Sequence, residues 1–390
     1  MKHVHNLFLL IILFSCHQST TTGQVLRGRI TPGAEQTELY WKHVEGKKIG
    51  LVVNQTSTIA ATHLADYLLE RDISVVRLFT PEHGFRGKED AGAKVSDGRD
   101  PKTGLSIVSL YGKNKKPSAE SLEGLDVLIF DIQDVGVRFY TYISTLHYVM
   151  EAAAEQGVKV IVMDRPNPHA HYVDGPVLKE AFSSFVGMHP VPVIYGLTIG
   201  EYAQMINGEA WLSEGIKCDL TIIPVSNYLR SDQYILPIKP SPNLPNNLSI
   251  GHYPSLCFFE GTTLSVGRGT TMPFQIIGHP GLEMDFTFTP QSTEGARYPK
   301  HENELCTGLD LRNIKPASAL DLSYLITMHD EMKSRKLPFF NDDNFFNLLA
   351  GTDELKKDII SQKPLEEIKA SWEKGLIDYK IKRRQYLIYD

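Results

Sequence analysis

The feature that most constrains the fold is a series of short, predominantly apolar runs separated by helical patterns between residues 47 and 225. The runs are Ile49-Gly50-Leu51-Val52-Val53, Val75 to Phe79, Ile107 to Leu110, Val127-Leu128-Ile129-Phe130 and Val160-Ile161-Val162-Met163. A strand with one wet face alternates apolar and polar residues, whereas a strand apolar at every position is covered on both faces. Helical patterns fall between the runs, at His63 to Arg71 and at Tyr140 to Glu155, the second closed by Gly157. The α/β alternation predicts a Rossmann-like, doubly wound, mostly parallel sheet.

A chain of 390 residues exceeds one ordinary core. The expected organisation is a leader and tether over 1–24, the Rossmann-like domain over 25–225, and a smaller C-terminal α/β domain over 226–390 that closes a cleft. Pro and Asn crowd Pro237 to Pro254, a loop that crosses between domains or lines that cleft. A Gly-rich block spans Phe258 to Ile277, and a charged helix is expected from Leu365 to Tyr386.

The start of the chain reads as a targeting segment. Lys2 and His3 precede the apolar run Leu7 to Phe14, far below the ~18 residues that cross a bilayer. Leu13-Phe14-Ser15-Cys16 resembles the bacterial lipobox, which implies export and a lipid anchor on Cys16 as the only membrane attachment, in the periplasm or outer membrane. A plain signal peptide with an incidental Cys is the alternative. Cys218, Cys257 and Cys306 stand in no metal-binding spacing and read as buried thiols, with one disulfide left open.

Ligands of open α/β sheets bind beyond the carboxyl ends of the strands. Four apolar runs end there in polar groups: Asn54-Gln55-Thr56, Thr80-Pro81-Glu82-His83-Gly84, Asp131-Ile132-Gln133-Asp134 and Asp164-Arg165-Pro166-Asn167-Pro168. Four such endings are expected to form one site. Amides and Arg suit hydroxyl and carboxylate recognition, and carboxylates suit proton transfer. No Gly-x-Gly-x-x-Gly, Walker loop or Gly-x-Ser-x-Gly elbow appears, so neither a nucleotide cofactor nor a serine nucleophile is expected, and no cofactor is assigned. A net charge of -6 argues against a general nucleic-acid binder. Glycoside cleavage, which uses two carboxyl groups beside the scissile bond, fits the inventory.

Glu82 is the first candidate: Pro81 fixes the backbone before it, and His83, Phe79 and Phe85 surround a carboxyl suited to a general acid. A loop salt bridge to Arg86 is the competing reading. Glu260 is the second, in Phe258-Phe259-Glu260-Gly261-Thr262-Thr263, ahead of Ser265-Val266-Gly267-Arg268-Gly269-Thr270. The glycines admit a close ligand and Arg268 can hold an anion, against a structural Arg–Glu pair in an ordinary turn. Asp131, Asp134 and Asp164 with His83 can form a metal site, or can cap helices and orient Arg138 and Arg165. Tyr140 lies close enough to the rim to touch a sugar ring.

These blocks resemble the exo-β-N-acetylmuramidase family. The resemblance runs through Thr80 to Gly87, Phe130 to Tyr142, Asp164 to Pro168, Gly175-Pro176, Leu197-Thr198-Ile199-Gly200-Glu201, Ser241-Pro242-Asn243, Glu260 to Thr270, Cys306-x-Gly308 and Arg384 to Tyr389, nearly the whole mature chain. It implies a Rossmann-like domain and a smaller C-terminal domain with the active site between them. It also implies release of terminal β-1,4-linked N-acetylmuramic acid from the non-reducing end of peptidoglycan fragments, with Glu82 as the catalytic acid and Glu260 as second carboxylate. Two departures stand out: Tyr195-Gly196 replaces the family's usual His-Gly, and Gly281 to His301 is shorter than usual.

The expected mechanism has Glu82 protonating the glycosidic oxygen while Arg268 or Arg138 binds the lactyl carboxylate. Asn54, Gln55, His83, Asp131, Asp134, Arg138, Tyr140, Asp164, Arg165, Asn243 and Arg268 form the expected substrate-binding set. The rival classes are a metal-dependent hydrolase built on the Asp cluster and a non-catalytic glycan-binding lipoprotein.

Overall fold

The computed structural model describes residues 27–81, Phe85 and 98–390. The Cys16 segment, Glu82, His83 and Arg86 lie outside the described residues. The first half carries β1 (Ile49–Val53), β2 (Thr58–Ile59), β3 (Thr62–His63), β4 (Val75–Thr80), β5 (Gly98–Arg99), β6 (Ser106–Ser109), β7 (Val127–Asp131), β8 (Lys159–Met163) and β9 (Leu220–Ile223). Apart from the β2–β3 hairpin, these form one seven-stranded sheet in the order β5-β6-β4-β1-β7-β8-β9. Only β5 pairs antiparallel. With β5 set aside, the strands in chain order read 3-2-1-4-5-6, the doubly wound order whose direction reverses between β1 and β7.

The apolar runs have the expected cause. Leu51, Val53, Leu78, Ile129 and Ile161 face one layer, under α1 (Thr37–Val44) and α2 (Leu64–Leu69). Val52, Phe79, Leu128, Phe130 and Val160 face the other, under α3 (Ala119–Leu122), α4 (Tyr142–Gln156) and α5 (Ile199–Gly208). Alternate residues are thus buried on opposite sides, which leaves the middle of the central strands almost wholly apolar. Gly157 closes α4 in the left-handed conformation. The helix expected from His63 is shorter because His63 ends a hairpin and its ring nitrogen caps α2 by accepting from the Ala65 amide at 3.2 Å.

The second half holds α6 (Asn247–Leu256), a 3-10 turn over Cys257–Gly261, and β10 (Ile276–His279), β11 (Phe286–Phe288) and β12 (Cys306–Asp310) as a small antiparallel sheet. It continues through α7 (Ser323–Ser334), α8 (Phe345–Ala350), α9 (Glu354–Ile360), α10 (Leu365–Ala370) and α11 (Glu373–Arg383). Phe258, Phe274, Leu325 and Ile368 belong to the same apolar cluster as Val52 and Phe79, so the smaller sheet and its helices share the core of one face of the large sheet. The single helix expected over 365–386 is broken between α10 and α11, where Trp372 turns inward and the Ser371 hydroxyl bonds back to the Ile368 carbonyl at 2.6 Å. Cys218, Cys257 and Cys306 are buried free thiols. No helix among the described residues is long and apolar enough to cross a membrane.

Two buried polar groups brace the layer above the strand tips. Arg138 is fully buried, and its terminal nitrogens donate to the carbonyls of Pro176 (2.9 Å), Val191 (2.7 Å), Leu349 (3.0 Å) and Ala350 (2.7 Å). Burial without a carboxylate partner pushes its pKa down to about 9. Asp134 accepts from the Gly136 amide at 2.7 Å and from the Tyr195 hydroxyl, while its other oxygen is buried without a partner. Burial lifts this carboxyl from 3.8 to about 6, against the pull of those donors.

Each group yields a stability test. Replacing Arg138 with Met strands four carbonyls at the junction of the two halves and is expected to cost about 3–5 kcal/mol, read as a lower urea midpoint. For Asp134, the native state keeps a proton that the unfolded chain releases above pH 3.8, so the group's contribution is complete below that pH and is lost as pH rises through about 6. Asp134→Asn removes this dependence. Relative to wild type, its unfolding free energy should rise by up to about 3 kcal/mol between pH 4 and pH 7 in denaturant titrations.

Candidate active site

The reversal between β1 and β7 opens a crevice at the carboxyl edge of the sheet, and the endings of β1, β7 and β8 meet there: the Gln133 amide donates to the Thr56 hydroxyl at 3.0 Å and Arg165 reaches Asp131. Most of their polar groups are spent on one another. Asn54 is fully buried; its amide donates to the Tyr142 hydroxyl at 3.0 Å and its carbonyl accepts from Thr56. Asp131 holds Arg165 in a two-pronged pair at 2.6 and 2.9 Å, both side chains buried. Burial disfavours the Arg165 charge, yet the Asp131 carboxylate more than offsets it, so its pKa is raised. Asp164 accepts from the Gly200 and Arg165 amides and from the Thr198 and Tyr389 hydroxyls, at 2.6–3.0 Å.

The three aspartates therefore do not converge. Each faces a different set of donors, and among the described residues no group of three or more His, Cys, Asp or Glu side chains comes together as a ligand set. Arg138 also departs from the expectation of a carboxylate-binding role: it is walled in, and four backbone carbonyls occupy its terminal nitrogens. Sequence spacing gave Arg138 the same credentials as Arg268, and only burial separates them.

A second tier of rim residues positions the Pro- and Asn-rich loop. Gln55 donates to the Lys239 and Pro240 carbonyls at 3.2 and 3.1 Å, and the Tyr140 hydroxyl donates to Pro240 at 2.8 Å. Asn243 donates to the Gly295 carbonyl at 2.7 Å, joining that loop to the C-terminal half. These contacts answer the choice left open for the loop: it is fixed to the strand tips on one side and to the wall of a cleft on the other.

The cleft holds about 260 Å³ and is lined by Tyr111, Phe139, Tyr140, Thr141, Tyr142, Phe185, Glu260 and Arg268, among others. Both halves of the chain contribute. Glu260 comes from the 3-10 turn after α6, and Arg268 from a loop in which Gly267 and Gly269 both have φ of +79°. A Cβ on Gly267 would meet Ile276 at 2.6 Å, so only glycine allows this approach. Arg268 Nε donates to Glu260 Oε1 at 2.9 Å, and the guanidinium lies 5.1 Å from the Phe274 ring centroid. Burial works against the Arg268 charge, and Glu260 reverses the balance and raises its pKa. Its two terminal nitrogens make no hydrogen bond among the described residues, which leaves them available to an anion. Lys300 braces the turn from behind, donating to the carbonyls of Phe259 and Glu260 at 3.0 Å and to that of Thr262.

Of the expected site residues, Tyr140, Glu260 and Arg268 line this cleft, Gln55, Asn54 and Asn243 support it, and Asp131, Asp134, Asp164, Arg165 and Arg138 belong to the buried layer beneath. Tyr111, Tyr142 and Phe185 were not expected. Tyr111 directly follows the strand run ending at Leu110, so the rule that found the other four tips would have found it. The group so assembled, a carboxylate–guanidinium pair facing tyrosine rings, suits a polyhydroxylated ring bearing an anionic substituent.

Comparison with known proteins agrees with the geometry. The family model for the N-terminal domain of exo-β-N-acetylmuramidase NamZ matches residues 49–248, and that for its C-terminal domain matches residues 252–389. The chain is 39% identical over 373 residues to the peptidoglycan β-N-acetylmuramidase NamZ of Bacillus subtilis (strain 168), covering 90% of this chain and 89% of that protein. Crystal structures of two DUF1343 family proteins from Bacteroides fragilis NCTC 9343 superpose with TM-scores of 0.86 and 0.80, at 44% and 30% identity, each covering 93% of this chain and 99% of the other. With both domain models matched in order across the cleft that carries Glu260 and Arg268, the chain belongs to the NamZ exo-β-N-acetylmuramidase family.

Proposed function

We propose that this protein is an exo-acting β-N-acetylmuramidase that releases terminal N-acetylmuramic acid from the non-reducing end of peptidoglycan fragments. The observation that carries the reading is the Glu260–Arg268 pair on the wall of a two-domain cleft, in a chain that matches both NamZ domains. Muramic acid differs from glucosamine by an anionic lactyl ether. The terminal nitrogens of Arg268 offer the forked donor that such a carboxylate fits. Tyr140 and Tyr142 supply ring faces and edges against which a pyranose can lie.

In this reading Glu82 is the general acid that protonates the glycosidic oxygen, on the strength of the family resemblance of its block. Glu260 is the second carboxylate and faces the positive charge that develops at the anomeric carbon. No cofactor is required by that chemistry. The protein is exported and tethered through a lipidated Cys16, again from the resemblance of its leader.

Three outcomes are expected. Wild type releases nitrophenol from 4-nitrophenyl β-N-acetylmuramide, and Glu82→Gln lowers kcat by about 10²–10⁴-fold with an unchanged unfolding midpoint. Equal rates in the two would remove Glu82 from its role, and no release by wild type would favour a glycan-binding protein. Arg268→Gln should erase about 10–100-fold of the preference for the muramide over the matching N-acetylglucosaminide, seen chiefly in KM. Cys16→Ser should move the protein from the membrane to the soluble fraction of cells that express it.

A further inference from the structure

Glu260 and Arg268 have a second face. Besides the aromatic cleft, the pair lines an adjoining cleft of about 380 Å³ whose other walls are Ser265, Val266 and the loop Gly295, Ala296, Arg297, Tyr298, Pro299 and Lys300. The carboxylate–guanidinium pair is therefore a partition with a chamber on each side. The aromatic chamber draws on both halves of the chain, whereas the second is built from the C-terminal half alone and carries Tyr298 with 87% of its surface exposed.

An exposed tyrosine alone is ordinary. This one stands on a loop that is fastened on both sides. Upstream, Asn243 holds the Gly295 carbonyl, Thr293 and Ala296 exchange backbone hydrogen bonds at 3.1 and 3.0 Å, and the Gln291 amide donates to Gly269 at 2.8 Å. Gly295 has φ of +90°, and a Cβ there would strike Pro242 at 2.5 Å. Downstream, Pro299 packs on Gly269, and Lys300 Nζ is seated among the carbonyls of the turn that bears Glu260. The backbone that carries the ring is thus fastened to the wall of Glu260 and Arg268, and the ring stands in water on the lining of the second chamber.

We infer that the Tyr298 chamber is a leaving-group subsite, in which the next sugar of the glycan lies on the Tyr298 ring while the terminal muramyl unit occupies the aromatic chamber. The inference rests on the muramidase reading above. A bond cut at the partition must have a residue on each side of it, and the open chamber is the one that lets the remaining glycan run out to solvent. Tyr298 is a specificity-determining residue for the sugar that departs.

The test compares methyl β-N-acetylmuramide, whose aglycone is too small to reach Tyr298, with the disaccharide N-acetylmuramyl-β-1,4-N-acetylglucosamine, using the full chain. Tyr298→Ala is expected to lower kcat/KM on the disaccharide about tenfold and leave the methyl glycoside unchanged, while Tyr298→Phe, which keeps the ring, restores most of the loss. An unchanged disaccharide rate, or an equal fall on both substrates, would overturn the assignment alone. If wild type cleaves neither compound, the muramidase reading fails and takes this subsite with it.

Discussion

The separation of the two halves of the molecule is set by a guanidinium that never touches solvent. Arg138 leaves the segment beyond β7 and reaches carbonyls at Pro176 and Val191 on one side and at Leu349 and Ala350, the end of α8, on the other. A buried cation without a carboxylate is costly, and the cost is limited here because four of its five N–H positions belong to nitrogens that are matched, while Nε is buried without a partner. Backbone packs against it as well: Gly351, at φ +71°, would place a Cβ 2.6 Å from its Nη2. Since α8 also supplies Leu349 to the aromatic cleft, the position of that wall follows from the Arg138 contacts.

The layer beneath the cleft shows how polar groups hold strand tips that must be both apolar on their faces and open at their ends. Tyr195 is fully buried in that layer, and its hydroxyl donates to Asp134. A phenol buried beside a carboxyl keeps its proton: burial, then Asp134, drive the Tyr195 pKa well above its ordinary value. It is therefore a fixed donor, where an imidazole could present either a donor or an acceptor.

Most of the architecture was legible because burial on two faces leaves its apolar signature on most residues of a strand. Five of the strands and α4 stand within two residues of where periodicity places them. The candidate site was legible only in part. Glu260, Arg268 and Tyr140 reach the cleft, but nothing local distinguishes them from Asp131 or Arg138, whose partners come from 34 to 212 positions away. A polar residue at a strand end either meets a ligand or satisfies a distant neighbour, and that choice is made by tertiary packing. The break before α11 was hidden for the same reason: the helical period continues through Ser371, and the inward turn of Trp372 depends on a core assembled from the other half.

One contact ties the order of synthesis to the completion of the sheet. The Asp164 carboxyl, at the tip of β8, takes one of its four hydrogen bonds from a phenol 225 positions downstream, and the same Tyr389 hydroxyl accepts from the Val225 amide just past β9. A nascent chain that has emerged only through β9 holds every strand of the large sheet yet lacks the plug for this polar hole. The N-terminal half is therefore built to wait, unsealed, until the last tyrosine of the sequence arrives to close it.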